Sequence, residues 1–374
     1  MIASITAWQA PDPSGAATRL ARMRKEGLNV TRRLTALSTI GLALSALVAV
    51  AGAPRTAQAL DKTSVIMSWT AEAEHGGFYQ AVATGIYKKY GLDVTVRQGG
   101  PQLNTAQLLM GGAVDFRIGS NSGGDFNFVK EGAPAVAIAA VFQKEPSVLI
   151  AHPDVGINTM ADMKGKPIAV SGQVVDTWWR FLQARFGFTD AQRRPYTFQI
   201  TPFLVNKDLI QQGYVTSEPY AVETQGGFKP KVFLLADDAE YNSYAALIET
   251  TKSMIAQKPG LVQRFIDASI EGWYSYLYGD PSPANALIVK DNPNMTAGQI
   301  AYSVAKMKEY GIVDSGDSLK LGIGAMTDAR WESFFKKAVA VGLYPADLDY
   351  KKAYTLQFVD KGVGLKMKES LAKK

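Results

Sequence analysis

Residues 68–96, SWTAEAEHGGFYQAVATGIYKKYGLDVTV, contain the pattern that predicts the fold of this chain. An apolar strand at residues 65–67 leads into a polar loop, and a helix follows the loop. The buried face of that helix is predicted at Phe78, Ala81, Val82 and Ile86. Gly91 suits a left-handed helix cap, and residues 92–96 alternate as a strand. The loop therefore lies at the carboxyl end of a strand, where open α/β sheets bind ligands.

The chain after residue 60 continues to alternate strand-like and helical segments, which predicts an α/β fold. An apolar strand at residues 148–151 is interpreted as the crossing out of a first lobe, and the chain returns to that lobe near residue 245. From residue 251 onward the pattern is mainly helical. We therefore predict one lobe from residues 60–151 plus 245–374, a second lobe from residues 152–244, and strands at 197–200 and 215–216 in the second lobe.

The first 59 residues have the pattern of an export signal. Two arginines, Arg32 and Arg33, precede the apolar run at residues 34–53, and the small-x-small signal Ala-Gln-Ala follows at 57–59. We expect a cleavable leader over residues 1–59, a mature chain beginning near Leu60, and a periplasmic location. The paired arginines leave twin-arginine export open beside the general secretory route.

Charge and cysteine content exclude several classes of protein. Residues 1–59 carry a net charge of +5 out of a total of +6, so the remaining chain is close to neutral and nucleic-acid binding is not expected. The sequence has no cysteine, which excludes disulfides, thiolate metal sites, a catalytic thiol and a lipidated cysteine.

Motifs for catalysis are also missing from the sequence. We find no Walker motif, no HExxH and no GxSxG, and only two histidines, far apart. We therefore expect no enzymatic activity, no metal and no cofactor. A hydrolase with paired carboxylates at Glu72, Glu74, Asp176 and Glu218 stays formally open, although their spacing does not support it.

Several motifs, in order along residues 62–250, resemble the SsuA/THI5-like (NMT1) solute-binding proteins for nitrate, sulfonates, taurine and thiamine precursors. The resemblance is carried by Trp69, His75, residues 79–81, Gly85, Tyr87, and residues 90–94, 112–116, 134–138, 162–166 and 213–220. It implies a periplasmic binding protein of type II, with two α/β lobes, a cleft between them and a helical C-terminal part. It also implies a monomer that delivers a small solute to the permease of an ABC importer. One branch of the family synthesises the thiamine pyrimidine with a cysteine-rich motif, which this chain cannot contain.

The loop after the first strand supplies two candidate ligand contacts. The indole of Trp69 can stack on a planar ligand or pack as the floor of the cleft. His75 can donate a hydrogen bond to a ligand or cap the helix, and the resemblance favours ligand contact, since pyrimidine-handling relatives carry a histidine there. Glu72 and Glu74 are predicted to be solvated loop acids.

Two strand-to-helix turns offer free backbone N–H groups, which suit an anion or a carbonyl oxygen. Ser120 and Asn121 belong to the first turn, and Gln173 belongs to the second turn at residues 171–176. Ser120 and Asn121 can equally be N-caps. Asp176 would repel a simple anion unless it pairs with a ligand amine.

Three further residues complete the predicted site. Trp178 and Trp179 diverge by about 100° on a helix, so one of them can face the cleft; Trp178 is our candidate. Glu218 can accept from a ligand amine or bridge the lobes, and Tyr220 adds a ring. His152 is predicted to lie in a surface turn.

These aromatic and acidic residues favour a planar solute with an amine, for which a thiamine pyrimidine precursor is the leading hypothesis. An alkyl or aryl sulfonate or a taurine-type anion is the alternative, and would need an arginine such as Arg117 or Arg180.

Overall fold

The structure, a computed structural model, describes residues 59–101 and 103–373, and residues 59–374 form one compact unit. The leader predicted over residues 1–59 lies outside the described residues except for its last position. No helix in the described ranges is both long and apolar enough to span a membrane.

Ten strands form two five-stranded sheets. The strands are β1 (Asp61–Ile66), β2 (Leu92–Arg97), β3 (Phe116–Ile118), β4 (Ala135–Phe142), β5 (Ser147–Ala151), β6 (Ile168–Val170), β7 (Arg193–Pro195), β8 (Ile210–Tyr214), β9 (Lys231–Leu234) and β10 (Ala245–Thr251). The first sheet has the order β2-β1-β3-β10-β4, and the second has the order β7-β6-β8-β5-β9. In each sheet the first three strands are parallel, and β10 and β5 run antiparallel to both of their neighbours. This architecture confirms the predicted α/β fold.

Helices cover both sheets and dominate the C-terminal part. They are α1 (Gly76–Ala83), α2 (Ile86–Lys89), α3 (Thr105–Met110), α4 (Ser122–Glu131), α5 (Arg180–Phe186), α6 (Thr201–Val205), α7 (Glu218–Ala221), α8 (Leu235–Asp238), α9 (Lys252–Gln257), α10 (Pro259–Tyr278), α11 (Ser282–Asp291), α12 (Ala297–Glu309), α13 (Ser318–Leu321), α14 (Asp328–Ala340) and α15 (Leu365–Leu371). A distorted π-type turn, Val175–Trp179, precedes α5.

The unit β1-α1-β2 has the predicted order, but the single predicted helix is divided: Gly85, with a φ of 72°, separates α1 from α2, and Ile86 lies on α2. Two other glycines explain how the unit packs. A Cβ added to Gly77 would lie 2.2 Å from the ring of Trp273 on α10, so only glycine lets the two helices approach this closely. Gly91, with φ of 73°, leads into β2 in the left-handed conformation that glycine tolerates. Close contact between α1 and α10 therefore fixes the loop between β1 and α1.

The two sheets are joined by two crossing segments, residues 143–146 between β4 and β5 and residues 239–244 between α8 and β10. β5 pairs with β8 and β9, so it belongs to the second sheet. Sheet membership thus places the connection between the sheets at residues 143–146, before β5, whereas the sequence pattern was interpreted as a crossing at residues 148–151. The chain returns to the first sheet with β10, which begins at Ala245.

One side chain of the C-terminal part contacts both crossing segments. Arg330, on α14, donates to the backbone carbonyl of Gln143 and, at 3.5 Å, to that of Ser243. Its guanidinium also lies 4.1 Å from the ring centroid of Tyr244. The helical C-terminal part therefore holds the two connections together.

Residues 197–200, predicted as a strand, are not one. The strand in this region, β7, ends at Pro195, and Phe198 has a φ of 61°. An extended strand cannot contain that left-handed residue, so the alternation of apolar residues was misleading here.

Candidate functional site

A cavity of about 780 Å³ lies between the two sheets. Residues from both sheets line it, and six of the predicted site residues are among them: Trp69, Ser120, Asn121, Gln173, Trp178 and Glu218. The structure therefore brings the loop after β1 and both strand-to-helix turns to one space.

Aromatic rings from the two sides meet in this cavity. The rings of Trp69 and Phe198 have centroids 4.5 Å apart with planes inclined at 50°, and Tyr196 lies 5.0 Å from Phe198. Trp69 follows β1 of the first sheet, whereas Phe198 follows β7 of the second. Phe198 reaches this position in a backbone conformation that non-glycine residues rarely adopt, which is typical of functional sites.

The two adjacent tryptophans have different environments. Trp178 lines the cavity, and its Nε1 has no hydrogen-bond partner. Trp179 is fully buried outside the cavity lining, and its Nε1 donates to Asp190 Oδ1 at 3.0 Å. The π-type turn produces this split, because Thr177 has non-helical φ and ψ angles of −125° and −109°.

The first turn satisfies most of its backbone donors within the protein, although Ser122 Oγ has no partner. Asn121 is the N-cap of α4, and its Oδ1 accepts from the backbone N–H of Gly123 at 3.1 Å. The backbone N–H of Ser122 donates to Tyr244 O and Ser243 Oγ. The N-cap interpretation of Asn121 is therefore confirmed, and the turn offers few free backbone donors.

His75 lies beside the cavity but is not among its lining residues. It is 2% exposed, its Nε2 lies 3.3 Å from Ser68 Oγ, and its side chain makes no helix cap. Burial lowers the pKa of His75 to about 3, so the ring is neutral at pH 7.

The prediction that Glu72 and Glu74 are solvated is wrong. Glu74 is 4% exposed, and Glu72 lines the cavity. Burial, and then the charges of Glu74 and Glu218, hold the pKa of Glu72 well above its usual value. Burial likewise raises the pKa of Glu74 to about 7. These acids face the interior because α1 is drawn tightly against α10, which pulls its entrance loop inward.

Glu218 is held inside the cavity wall by the second sheet. Its carboxylate accepts from Tyr196 Oη at 2.8 Å and from the backbone N–H of Tyr214 at 2.7 Å. Burial raises the pKa of Glu218. Its partners are groups of its own sheet, so the alternative role of a salt bridge between the lobes does not apply.

Two predicted site residues are not brought to the cavity. Asp176 is exposed and pairs with Arg180 at 2.9 Å, and Tyr220 packs against Tyr302 with ring centroids 5.3 Å apart. Neither is among the lining residues. The π-type turn places the side chain of Trp178 at the cavity and the side chain of Asp176 in solvent.

Glu145 is a cavity residue that sequence reasoning missed. It lies in the first crossing segment, is 1% exposed, and its Oε1 accepts from Ser147 Oγ at 2.7 Å and Ser147 N at 3.2 Å. Its Oε2 has no partner, and burial raises the pKa of Glu145 to about 7. A lone acid before a proline is typical of a solvated loop, so no sequence pattern indicated that Glu145 lies at the cavity.

The charge of the lining is mainly acidic. Arg117 is its one cationic residue in the part of the chain that the structure describes, and its guanidinium pairs with the buried carboxylate of Glu249. The other arginine considered, Arg180, lies outside and pairs with Asp176. Within the described ranges, no group of three or more His, Cys, Asp or Glu residues could hold a metal ion. The arrangement suits a solute with hydrogen-bond donors better than an anion.

Several known proteins similar to this chain are solute-binding proteins. The chain is 25% identical over 322 residues to the riboflavin-binding protein RibY of Chloroflexus aurantiacus, covering 83% of this chain and 90% of the relative. The aliphatic sulphonate binding protein SsuA of Escherichia coli has a similar structure, with a TM-score of 0.58 at 13% identity over 80% of this chain and 92% of that one. The nitrate-binding protein NrtA of Synechocystis PCC 6803 also has a TM-score of 0.58 at 13% identity, over 78% of this chain and 84% of that one.

These structural neighbours show that the chain has the fold of the periplasmic binding proteins of ABC importers. A family model described as "NMT1/THI5 like" matches residues 72–284, which is more than half of the chain. The match includes most of the motifs on which the resemblance rested. The protein therefore belongs to the NMT1/THI5-like family.

Proposed function

We propose that this protein is an extracytoplasmic receptor that delivers a planar nitrogen heterocycle to the permease of an ABC importer. One observation carries the proposal: the cavity combines aromatic rings from both sheets with three carboxyl groups, and its one guanidinium is already paired. We assign ligand contact to the six predicted residues that line the cavity, Trp69, Ser120, Asn121, Gln173, Trp178 and Glu218.

The rings favour a flat ligand. Trp69 and Phe198 approach from opposite sheets and contact each other, and an aromatic solute packed against this pair gains offset or edge-on contacts beyond simple burial. The carboxyl groups of Glu72, Glu145 and Glu218 favour a ligand with N–H groups. An amine-bearing thiamine pyrimidine precursor meets both conditions and is the leading candidate.

A larger heterocycle of the flavin type is the second candidate. The relative from Chloroflexus aurantiacus is a riboflavin-binding protein. A cavity of about 780 Å³ is large for a single pyrimidine ring and lies well within the ~300–1,000 Å³ typical of small-molecule sites.

A sulfonate or taurine-type anion fits this cavity less well. The sulfonate group of such a ligand presents only acceptor oxygens, and these would meet the carboxyls of Glu72, Glu145 and Glu218 with Arg117 already paired with Glu249. A pyrimidine synthase is disfavoured by the absence of cysteine from the sequence.

A thermal-shift and calorimetric screen tests the proposal. The mature chain is titrated with an aminopyrimidine, riboflavin, an aliphatic sulfonate and nitrate. A heterocycle should raise the unfolding temperature and be recovered chemically unchanged, as expected of a binding protein. Binding of the sulfonate alone, or turnover of a bound heterocycle, would contradict the proposal. Native mass spectrometry of protein purified from its host would identify a retained solute directly.

A further inference from the structure

We infer that Glu145 Oε2, Trp178 Nε1 and Ser171 Oγ together bind one edge of the ligand, an edge that places an N–H donor beside a carbonyl or ring-nitrogen acceptor. The inference rests on the proposed function and specifies the chemistry that the receptor recognises. Ser171 and Glu145 were not among the residues predicted to contact ligand.

The three atoms combine two properties. Each belongs to a residue that lines the cavity and is at most 3% exposed, and none of the three has a hydrogen-bond partner in the protein. Leaving a buried polar atom unpaired costs free energy. Other buried atoms of the described chain, such as Trp273 Nε1 and Trp331 Nε1, also lack a partner, but their residues do not line the cavity. The position of these three at the cavity is what makes them groups that a ligand can satisfy.

Their chemistry defines what that ligand must carry. Glu145 Oε1 already accepts from Ser147, so Oε2 is the oxygen left for a ligand. Burial raises the pKa of Glu145 to about 7; above that pH the carboxylate is ionised and only accepts, and a ligand N–H favours this ionised form. The indole nitrogen of Trp178 donates only, and the hydroxyl of Ser171 can do either. A complementary ligand edge has at least one N–H and one acceptor. Amidine-like edges of aminopyrimidines and imide edges of flavins both qualify.

The neighbouring tryptophan provides an internal comparison. Trp179 is equally buried, yet its indole N–H donates to Asp190. The same distorted turn thus satisfies the indole that faces the protein and leaves unpaired the one that faces the cavity. An anion with acceptors alone would satisfy Trp178 and leave Glu145 unpaired.

Paired ligands test the inference without changing the protein. An aminopyrimidine is compared with its dimethylamino counterpart, and a flavin with the same flavin methylated at its imide nitrogen, by calorimetry on the mature chain. Methylation removes the N–H that faces Glu145 and should weaken binding by about tenfold to a hundredfold, as loss of a hydrogen bond to a charged group does.

Variants assign the effect to the named atoms. In Glu145→Gln the side-chain amide oxygen must accept from Ser147, so the amide NH₂ group faces the N–H of the ligand. Two donors then meet, and affinity for the ligand should fall about tenfold or more. Trp178→Phe keeps a ring and removes the donor, and affinity should fall by about tenfold. Trp179→Phe is the matched control: it should lower the unfolding temperature through loss of the Asp190 contact and leave the dissociation constant unchanged.

The outcomes separate this inference from the proposed function. If the methylated and parent heterocycles bind the folded wild-type chain equally, the inference is overturned and the proposed function stands. If wild-type protein binds no heterocycle, the proposed function fails and the inference falls with it. Loss of discrimination between parent and methylated ligands in Glu145→Gln would support the assignment specifically.

Discussion

The two strand-to-helix turns of the cleft look equivalent in the sequence and differ in the structure. In the turn at residues 119–122, a regular helix follows, Asn121 caps it, and the backbone donors reach protein acceptors. In the turn at residues 171–176, the helix starts irregularly and no side chain caps it.

This difference teaches that a turn of the right shape is not automatically a binding site. The backbone N–H of Ser122 in the first turn donates to residues of the second crossing segment. Hydrogen bonds of the first turn therefore help to hold the connection between the sheets in place. The second turn gives up regular helical hydrogen bonding and leaves polar atoms directed at the cavity. We therefore expect substitutions at the first turn to affect stability more than affinity, and substitutions at the second turn to affect affinity more than stability.

The largest expected effect concerns the pH dependence of stability at Glu145. Its pKa rises from 4.5 in the unfolded chain to about 7 in the folded protein, so the folded state binds the extra proton in this window. Wild-type stability should therefore fall as pH rises from 4.5 to 7, at up to ~1.4 kcal/mol per pH unit from this group. Glu145→Gln lacks this titration, so its stability relative to wild type should grow with pH, by up to ~3 kcal/mol. Urea unfolding across that pH range measures the difference, and parallel curves would contradict it.

Next in size is the loss of the ring at Trp69. Trp69→Ala should lower affinity for the heterocycle at least tenfold, about 1.4 kcal/mol, because the ligand loses a stacking surface. The fold should change little, since the side chain is only half-buried. Trp69→Phe, which keeps a ring, should retain most of the affinity. Unchanged binding of the alanine variant by calorimetry would rule out the stacking role.

A smaller effect is expected at the first turn. Asn121→Ala removes the cap of α4 and should reduce the free energy of unfolding by ~1 kcal/mol, with a smaller effect on affinity than Trp69→Ala. Asn121→Ser preserves a capping oxygen and should recover most of the stability. An affinity loss as large as that of Trp69→Ala, in a variant of normal stability, would show that the two turns are equivalent after all.

The smallest effect is expected at Asp176. Its carboxylate is exposed and pairs only with Arg180, so Asp176→Asn should change stability and affinity by less than ~0.5 kcal/mol. A tenfold loss of affinity in calorimetry would place Asp176 at the ligand and contradict its position in the structure.

The sequence predicted those parts of the fold that depend on local pattern. The unit β1-α1-β2 and the mainly helical C-terminal part follow from apolar spacing and from glycine positions. The sheet to which β5 belongs could not be predicted from local pattern, because an apolar run does not indicate which strands it pairs with. β5 pairs with β8 and β9, which are far from it in the sequence. At Phe198, tertiary contact with Trp69 overrides the local preference for a strand.

Cavity residues were predicted where the residue type alone indicates a contact with ligand. They were missed where the position of a side chain depends on tertiary packing. His152 was expected in a surface turn, yet it is buried with its ring 4.6 Å from both Phe203 and Phe228, and its Nε2 lies 2.8 Å from Phe203 O. The choice between Trp178 and Trp179 depends on the irregular backbone at Thr177, which helix periodicity cannot anticipate.

The position of Arg330 has a consequence for movement of the two sheets. Its guanidinium contacts the carbonyls of Gln143 and Ser243, one in each connection, so those connections cannot shift independently while both hydrogen bonds persist. Rotation of one sheet against the other must pivot close to this side chain or break its bonds. The axis of any closing motion is thus set by α14.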